Sequence, residues 1–410
     1  MNILIIGSGG REHSLFTKVK LDPRVNQVFM LGENGAIDPT FLIKDVDGLD
    51  FKQVYDIICK KEIAMTIVGP EIYLEAGIVD YLRAHGCPVI GTDKYCAQLE
   101  SSKKFAKEIM ATAHIPTAKY KYVTDPTVGL EVCLEFGYPV VLKFDGLAAG
   151  KGVLVCESPA DAERYFDNVL NKRCFGKGGI VIEECLVGEE YSVFAVVSGN
   201  NYSILPVAQD YKRAYDNDLG PNTGGMGANT TSKYDDQLPF IEDRILKPLL
   251  SEFIERGYKY TGFLYIGLMQ TIDGPKVIEF NVRMGDPETQ IVMQKLDSSL
   301  LEVIEKVYGG ENFIPEFKTE EYVGVVIAAS DYPNQYEKDV ILELNESMRP
   351  TFHMGTKNIG GTLYSTGGRV MMVTSGGETV EAARNHVYQK LATFKNDKLF
   401  YRNDIGHGRV

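Results

Sequence analysis

No stretch of this chain is apolar for anything near the ~18 residues that a membrane span needs. No basic leader precedes its first apolar residues. Met1-Asn2-Ile3-Leu4-Ile5-Ile6 runs straight into Gly7, which reads as a strand and not as a signal peptide. Positive charge is also short. The 410 residues carry a net charge of −13, which argues against broad binding to nucleic acid or to anionic membranes. Anionic small molecules stay open, because a local cluster of Lys and Arg overrides the total. Histidine is scarce, 6 in all with no pair at metal-ligand spacing, so no zinc site is expected. The 7 cysteines (Cys59, Cys87, Cys96, Cys133, Cys156, Cys174 and Cys185) are odd in number and form no Cys-x-x-Cys. They are expected to be reduced core residues of a cytoplasmic protein. Gly-x-Ser-x-Gly and a catalytic Cys–His pairing are missing too, so side-chain nucleophilic catalysis is not indicated. No internal repeat or low-complexity tract breaks the chain.

What is present is globular. Hydrophobic residues make up 44% and charged residues 24%, as in ordinary folded domains. The length suits two to four of them. Strands are expected at Ile3–Ile6, Gln27–Leu31, Met65–Val68 and Pro88–Ile90, with helices near 11–20, 51–61 and 72–85. That is a small parallel α/β unit. Ser101-Ser102 suits the N-cap of a helix over about 103–113, ended before Ile115-Pro116. From 117 to 190 strands and helices alternate with Gly-rich joints. Residues 209–228 read as one long functional loop. A helix near 234–256 follows. Gly262–Thr271 and Lys276–Phe280 then form a hairpin around Asp273-Gly274. Helices fill 287–308, and 320–410 returns to strands, with one helix near 378–392.

The window Pro139–Val153 carries the first chemical signal. An apolar strand ends in Lys143. A loop of small residues with Lys151 follows, then a second apolar strand, Val153–Cys156. Small residues let backbone N–H groups approach phosphate oxygens, and lysine adds compact charge. A Walker A loop is excluded: Gly146 stands one residue too close to Gly150, and Gly152 follows Lys151 where Ser or Thr is required. Phosphate would be held between strands here. A tight Gly-rich hairpin with incidental lysines is the plain alternative.

Three weaker segments and one strong one accompany it. Gly7-Ser8-Gly9-Gly10-Arg11-Glu12 joins a strand to a helix but has Glu12 where a dinucleotide fingerprint needs Gly. Its helix N-terminus and Arg11 suit the phosphate of some other ligand better. Val68-Gly69-Pro70-Glu71 ends another strand, at an edge where open α/β sheets bind ligands. Glu71 there suits sugar hydroxyls, or is merely a solvated turn residue. Ile182–Ser192 joins two strands through an acidic hinge that can offer its backbone to an adenine edge, or is an ordinary exposed turn. The strong segment is Val277–Glu288. Residues two apart on a strand share a face, so Glu279 and Asn281 are expected to project together while Ile278 and Phe280 face the core. Two oxygen ligands suit Mg²⁺, and Arg283 continues that face.

Together the lysines, the acidic hinge and the Glu-x-Asn strand resemble the ATP-grasp superfamily. The long motifs at 7–13, 68–71, 146–152, 220–227 and 285–290 narrow the resemblance to the glycinamide ribonucleotide synthetases of purine biosynthesis, essentially end to end. That resemblance implies a multidomain α/β and α+β fold. It comprises an N-terminal Rossmann-like domain (1–100), a linker helix (101–116), an ATP-grasp lid (117–190), a central ATP-grasp domain (191–315) and a small mixed-β C-terminal domain (316–410). It implies a cytoplasmic, monomeric ligase acting on ATP, glycine and 5-phosphoribosylamine with Mg²⁺ or Mn²⁺, and no nucleic-acid or membrane partner. By similarity, Lys103 and Lys143 hold ATP phosphates under a cover of Gly146, Gly150, Lys151 and Gly152. Glu184 to Leu186 meet adenine, and Glu190 meets ribose. Glu279 and Asn281 hold the metal. Arg283 and Asp210 orient glycine. Gly9, Gly10, Arg11, Glu71, Thr223, Gly224 and Gly225 face the substrates, with Asp286 near the amine and Arg369 near the phosphate.

The sequence departs from the family in places. Tyr211 stands where the family usually has His, Phe144 replaces a common Ala, and Val282 and Met284 replace Cys and Phe. Asn229-Thr230-Thr231 replaces a Ser-Pro-rich stretch. No charge assigned to ATP or metal is lost, but Tyr211 puts any role of that His in doubt. Another ATP-grasp ligase, including a formate- or bicarbonate-using one, an NAD(P)-binding oxidoreductase and a silent nucleotide sensor are the rival readings. Intact Glu279, Asn281 and Arg283 argue against the sensor.

Overall fold

The computed structural model describes residues 1–148 and 152–407. Short apolar strands alternating with helices build the first unit: β1 (Asn2–Ile6), α1 (Gly10–Lys20), β2 (Gln27–Leu31), β3 (Leu42–Ile43), α2 (Phe51–Lys60), β4 (Ile63–Val68), α3 (Glu71–Ala76), α4 (Ile78–Ala84) and β5 (Val89–Ile90). The strands are parallel, in the order β3-β2-β1-β4-β5. The winding reverses at β1, which places a ligand crevice beyond the carboxyl ends of β1 and β4. The helix expected over 72–85 is two helices, because Gly77 takes φ 98°, a left-handed turn that ends one and starts the next. Then come α5 (Lys94–Ser101) and α6 (Lys103–Thr112). Ser102 caps α6 as expected, its Oγ accepting from the Phe105 N–H at 3.1 Å.

The second unit comprises β6 (Tyr120–Val123), α7 (Pro126–Phe136), β7 (Val140–Phe144), β8 (Val153–Cys156), α8 (Pro159–Phe166) and β9 (Ile180–Glu184). Its antiparallel sheet runs β6-β9-β7-β8 over a core of its own built on Val140, Leu142, Ile180 and Ile182. The Lys143 window is therefore strand–loop–strand, as its apolar runs require.

The remainder is organised around one sheet. Its elements are β10 (Glu189–Ser198), β11 (Asn201–Asp210), β12 (Arg213–Tyr215), β13 (Leu219–Asn222), β14 (Gly227–Thr230), α9 (Leu238–Ile241), α10 (Lys247–Glu255), β15 (Thr261–Thr271), β16 (Gly274–Asn281), α11 (Thr289–Lys295) and α12 (Leu300–Tyr308). They continue as β17 (Glu321–Ala329), β18 (Ile341–Leu342), β19 (Thr351–His353), β20 (Thr356–Ile359), β21 (Thr362–Ser365), β22 (Arg369–Gly377), α13 (Val380–Leu391) and β23 (Leu399–Phe400). Nine strands join in the order β16-β15-β10-β11-β14-β17-β22-β19, with β23 added to β17. The sheet passes straight through the 315/316 boundary.

Four expectations change. Residues 209–228 are not one loop. Asp210 ends β11, β12 pairs with β13 in a small hairpin, and Gly227 opens β14. That hairpin is mostly solvent-facing, so it lacks the apolar alternation that marks a strand. The helix near 234–256 is broken by a π-helical turn over Glu242–Leu246, just where Pro248 removes an N–H donor. Ile278 sits at a β-bulge in β16 and is half-buried, so Val277 and not Ile278 fills the core beside Phe280. Only Cys96, Cys133 and Cys156 are buried; Cys59 and Cys174 are exposed, the first on the outer face of an amphipathic helix.

The first unit and the central sheet share their packing. A Cβ on Gly262 (φ 106°) would lie 2.8 Å from the Gly91 Cα, so the end of β5 touches β15 backbone to backbone. On the other face α1 meets α11, with the Ser14 Oγ donating to the Thr289 carbonyl at 3.2 Å. These contacts hold the β1 and β4 crevice against the end of β16.

Candidate active site

Helix α6 places Lys103 and Lys107 one turn apart, hence on neighbouring positions of one face. Lys103 lies at the edge of the cleft between the lid sheet and β16, its Nζ 2.9 Å from the Glu100 carbonyl. Lys107 is buried, and its Nζ lies 3.1 Å from Glu183 Oε2. Lys143, from β7, meets the other oxygen of the same carboxylate at 2.9 Å and donates to the Ile278 carbonyl at 3.0 Å. Lys103, Lys107, Lys143, Glu183 and Glu279 line one small cavity there. Asp145 anchors the start of the Gly-rich loop to the tip of α6, accepting from the Ser102 hydroxyl at 2.9 Å and the Lys104 N–H at 3.2 Å. Of that loop, Gly146 and Gly152 are described; Gly150 and Lys151 lie outside the described residues.

Beyond the hinge, Glu184 receives the Lys119 N–H at 2.9 Å, and Leu186 is half-buried. Glu190 is paired with Lys212. Burial works against the Lys212 charge, but Glu190, Asp210 and Glu279 overcome it and hold its pKa well above the ordinary value. The same balance governs Glu279. Burial pushes its carboxyl up, yet Lys212, Lys103, Lys143 and Arg283 prevail and keep it below its usual range. Glu279 therefore stays ionised amid lysines from three elements.

The end of β16 turns toward the first unit. Arg283 lies 2.7 Å from Glu100 Oε1 and 3.2 Å from Glu71 Oε2. It also approaches the Asn281 Oδ1 at 3.4 Å. The other Glu100 oxygen accepts the Val282 N–H at 2.8 Å, so α5 fixes the backbone after β16. Glu288 is buried, and burial together with the Asp210 charge pushes its carboxyl up to about 8.

The glycine turn after β1 closes the site. The Gly9 N–H donates to Glu12 at 2.8 Å, and Arg11 binds the same carboxylate at 2.5 Å and the Met284 carbonyl at 3.1 Å. A Cβ on Gly10 would lie 2.4 Å from the Gln290 amide and 3.4 Å from Asp286 Oδ1, so a larger residue there would have to push the Gln290 side chain aside. Asp286 accepts from Gln290 at 2.9 Å. Arg369, at the start of β22, reaches back over the Thr223–Gly225 turn. It donates to the carbonyls of Gly224 and Asp286, each at 2.6 Å, while Thr223 Oγ1 donates to the Lys212 carbonyl at 2.8 Å.

Most of the described residues singled out from the sequence thus lie near β16 and the turn that follows it, linked by pairwise contacts to the β1 turn. Two differences stand out. The N-terminal N–H and Arg11, expected to meet a phosphate directly, are engaged by Glu12. Tyr211 turns away from the cleft into the C-terminal core, its hydroxyl 3.2 Å from both Asn229 Oδ1 and the His407 carbonyl. Sequence reasoning missed Lys107, Glu183, Glu100, Lys212 and Glu288. Signals existed for two of them. Lys107 sits among Ala106, Ile109 and Met110 on the apolar face of α6, and Glu183 follows Ile180-Val181-Ile182 in a wholly buried run. A charge on a buried face needs a partner.

The donor set fits a divalent cation. Glu279 supplies an ionised oxygen and Asn281 a neutral one, both hard ligands at the cleft wall. Among the described residues no cluster of three or more His, Cys, Asp or Glu forms a complete protein-only metal cage. No helix among them is long and apolar enough to cross a membrane.

Known proteins resemble this chain along its whole length. The phosphoribosylglycinamide synthetase N domain, ATP-grasp (A) domain and C domain match residues 1–100, 101–289 and 322–408. A phosphoribosylamine–glycine ligase of Halalkalibacterium halodurans is 42% identical over 99% of this chain and 96% of its own. One of Pseudomonas aeruginosa is 42% identical over 100% and 98%. The crystal structure of the Thermotoga maritima phosphoribosylamine–glycine ligase superposes with a TM-score of 0.86 at 32% identity, covering 98% of this chain and 100% of that one. A biotin carboxylase domain from Hydrogenobacter thermophilus, solved with MgADP and bicarbonate, shares the fold alone, at 15% identity and a TM-score of 0.73 over 98% and 91% of the two chains. The chain belongs to the phosphoribosylglycinamide synthetase family.

Proposed function

We propose that this chain joins glycine to 5-phosphoribosylamine, giving glycinamide ribonucleotide while ATP becomes ADP and phosphate, the second step of purine synthesis. The observation that carries the reading is β16. Glu279 faces the lysines of α6 and β7 on one side, with Asn281 two residues further along the strand. Arg283, two residues on, belongs with Glu71 and Glu100 of the first unit on the other. One strand end thus joins a place for a polyphosphate to a place for an acceptor.

In this reading Lys103 and Lys143 bind ATP phosphates, and the Gly146–Gly152 loop with Lys151 covers them. Glu184 to Leu186 receive adenine through backbone groups, and Glu190 takes the ribose. Glu279 and Asn281 hold a divalent cation, Mg²⁺ or Mn²⁺, which supplies charge neutralisation to the phosphates. Arg283 and Asp210 orient glycine so that its carboxylate attacks the γ-phosphoryl group and yields glycyl phosphate. Asp286 lies near the amine, which then attacks the acyl carbon and expels phosphate. Arg369, with Thr223, Gly224 and Gly225, shapes the seat of the ribosylamine phosphate. Gly9, Gly10 and Glu71 wall it, and Arg11 acts from behind through Glu12. The chain needs no nucleophile of its own for this, only positioning and charge.

Purified protein given the ribosylamine phosphate, glycine and Mg-ATP is expected to release phosphate only when all three are present. Bicarbonate or formate in place of glycine should give none. Full turnover without glycine would sink the reading, and NADH binding would revive the oxidoreductase alternative.

A further inference from the structure

Lys107 is the most deeply placed cation near the nucleotide cleft, 2% exposed. It lines the same small cavity as Lys103 and Lys143, but its charge is taken up by Glu183. Its Nζ donates to Thr117 Oγ1 at 2.8 Å, and that hydroxyl donates to the Val277 carbonyl at 2.6 Å. The Val277 N–H in turn bonds the Pro116 carbonyl at 2.8 Å. Body helix, linker and β16 are laced together at this point, and Glu183 of the lid strand β9 is tied to the same knot at 3.1 Å. Glu183 has a second lysine, Lys143, 2.9 Å from its other oxygen. Two cations therefore share one buried carboxylate.

That ratio decides which lysine can leave. If Lys143 moves off to a nucleotide phosphate, Glu183 keeps Lys107 and stays neutralised. Without the Lys107 charge, the same movement would abandon a buried carboxylate, which is strongly unfavourable. Resting on the ATP-dependent reading above, we propose that Lys107 is a positioning residue for the nucleotide: it holds Glu183 so that Lys143 is released to ATP, and it fixes the lid strand to the body while this happens.

The charged and titratable groups around Lys107 are Glu183 and Glu184 from β9, Lys143 from β7, Tyr120 from β6, Glu279 from β16, Glu100 from α5 and Lys103 from its own helix. Burial outweighs the pull of Glu183 and lowers the Lys107 pKa to about 8. Below that value the lysine is charged and the release works. Above it Lys143 becomes the only counter-charge of Glu183.

Calorimetric binding of Mg-ATP, with steady-state kinetics, tests the proposal. Wild-type protein that binds no Mg-ATP at pH 7 would defeat the underlying reading, not this inference. Given wild-type binding, Lys107→Met is expected to raise Kd and KM for ATP about 30-fold, with kcat and the glycine KM within about threefold. Glu183→Gln added to Lys107→Met is expected to recover most of that loss, because no buried charge is then left behind. A purely structural lysine would give additive losses. Should Lys107→Met fail to fold, wild-type binding across pH decides: Kd for ATP should rise as pH passes about 8. An unchanged ATP affinity in Lys107→Met, additive double-variant losses, or a flat pH profile between 7 and 9.5 would each overturn the proposal.

Discussion

The two halves of the cleft handle charge differently. Around the lid the cations are lysines, and they share carboxylates: Lys107 and Lys143 on Glu183, Lys212 on Glu190 and near Glu279. Around the β1 turn the cations are arginines pinned by several partners each. Arg283 joins Glu100 and Glu71, Arg369 spans two carbonyls, and Arg11 is held by Glu12 and Met284. A lysine is a point charge on a flexible stem, whereas an arginine is a planar fork that loses little freedom once seated. The lid half can therefore re-pair its charges when a polyphosphate arrives. The half around the β1 turn keeps its shape.

This contrast can be broken from either side. The largest effect is expected in the yielding half. Glu279→Ala or Lys143→Ala should cut turnover on the order of 10³-fold while the melting temperature moves only slightly, since neighbouring charges rearrange. Wild-type rates from either would refute their placement at the reacting phosphates. In the pinned half, Arg283→Ala should damage both readouts. Two carboxylates lose their partner, costing about 3 kcal/mol in a denaturant titration, and phosphate release should fall with it. An inactive Arg283→Ala of wild-type stability would show that the arginine was not structural after all.

A subtler test lies where the halves meet. The Glu288 carboxyl titrates near 8 in the folded chain against an ordinary 4.5. The folded state binds the extra proton, so stability should fall as pH rises from about 4.5 to about 8 and level off beyond. Glu288→Gln should flatten that slope and stabilise the ligand-free protein at alkaline pH; an unchanged slope would place the titration elsewhere. Smallest of all, Tyr211→Phe should cost about 1 kcal/mol of stability and leave ligase kinetics alone. A kinetic defect there would return the 209–228 region to the reaction.

Much of the fold was legible because its signals are local. The parallel strands are short apolar runs, the Ser102 cap precedes its helix directly, and the Asp273-Gly274 turn names its own hairpin. The site was legible where charge sits on a strand end or a glycine turn, as in Glu279-Phe280-Asn281 and Gly9-Gly10. What stayed hidden depends on pairing across distance. The bulge at Ile278 appears only once β15 is laid beside β16. Glu183 looks no different from Glu184 until Lys107 and Lys143 arrive from two other elements. The hairpin of 213–222 is mostly solvent-facing, so no apolar alternation announced it. Tyr211 could be read from the sequence only as a departure from a neighbouring motif; that it follows directly after the end of β11 and packs into the C-terminal core shows only in the fold.

The nine-stranded sheet has a consequence for how the chain can be divided. Its seam is β14, four residues long, with β11 on one side and β17 on the other. Cutting at the 315/316 boundary would leave β14 and β17 each with a bare edge of N–H and C=O groups, the kind that seeks a strand. The two pieces should therefore be poor proteins apart and good ligands for each other. The module that sequence boundaries would call C-terminal is, mechanically, half of a wall whose other half carries β16 with Glu279 and Asn281.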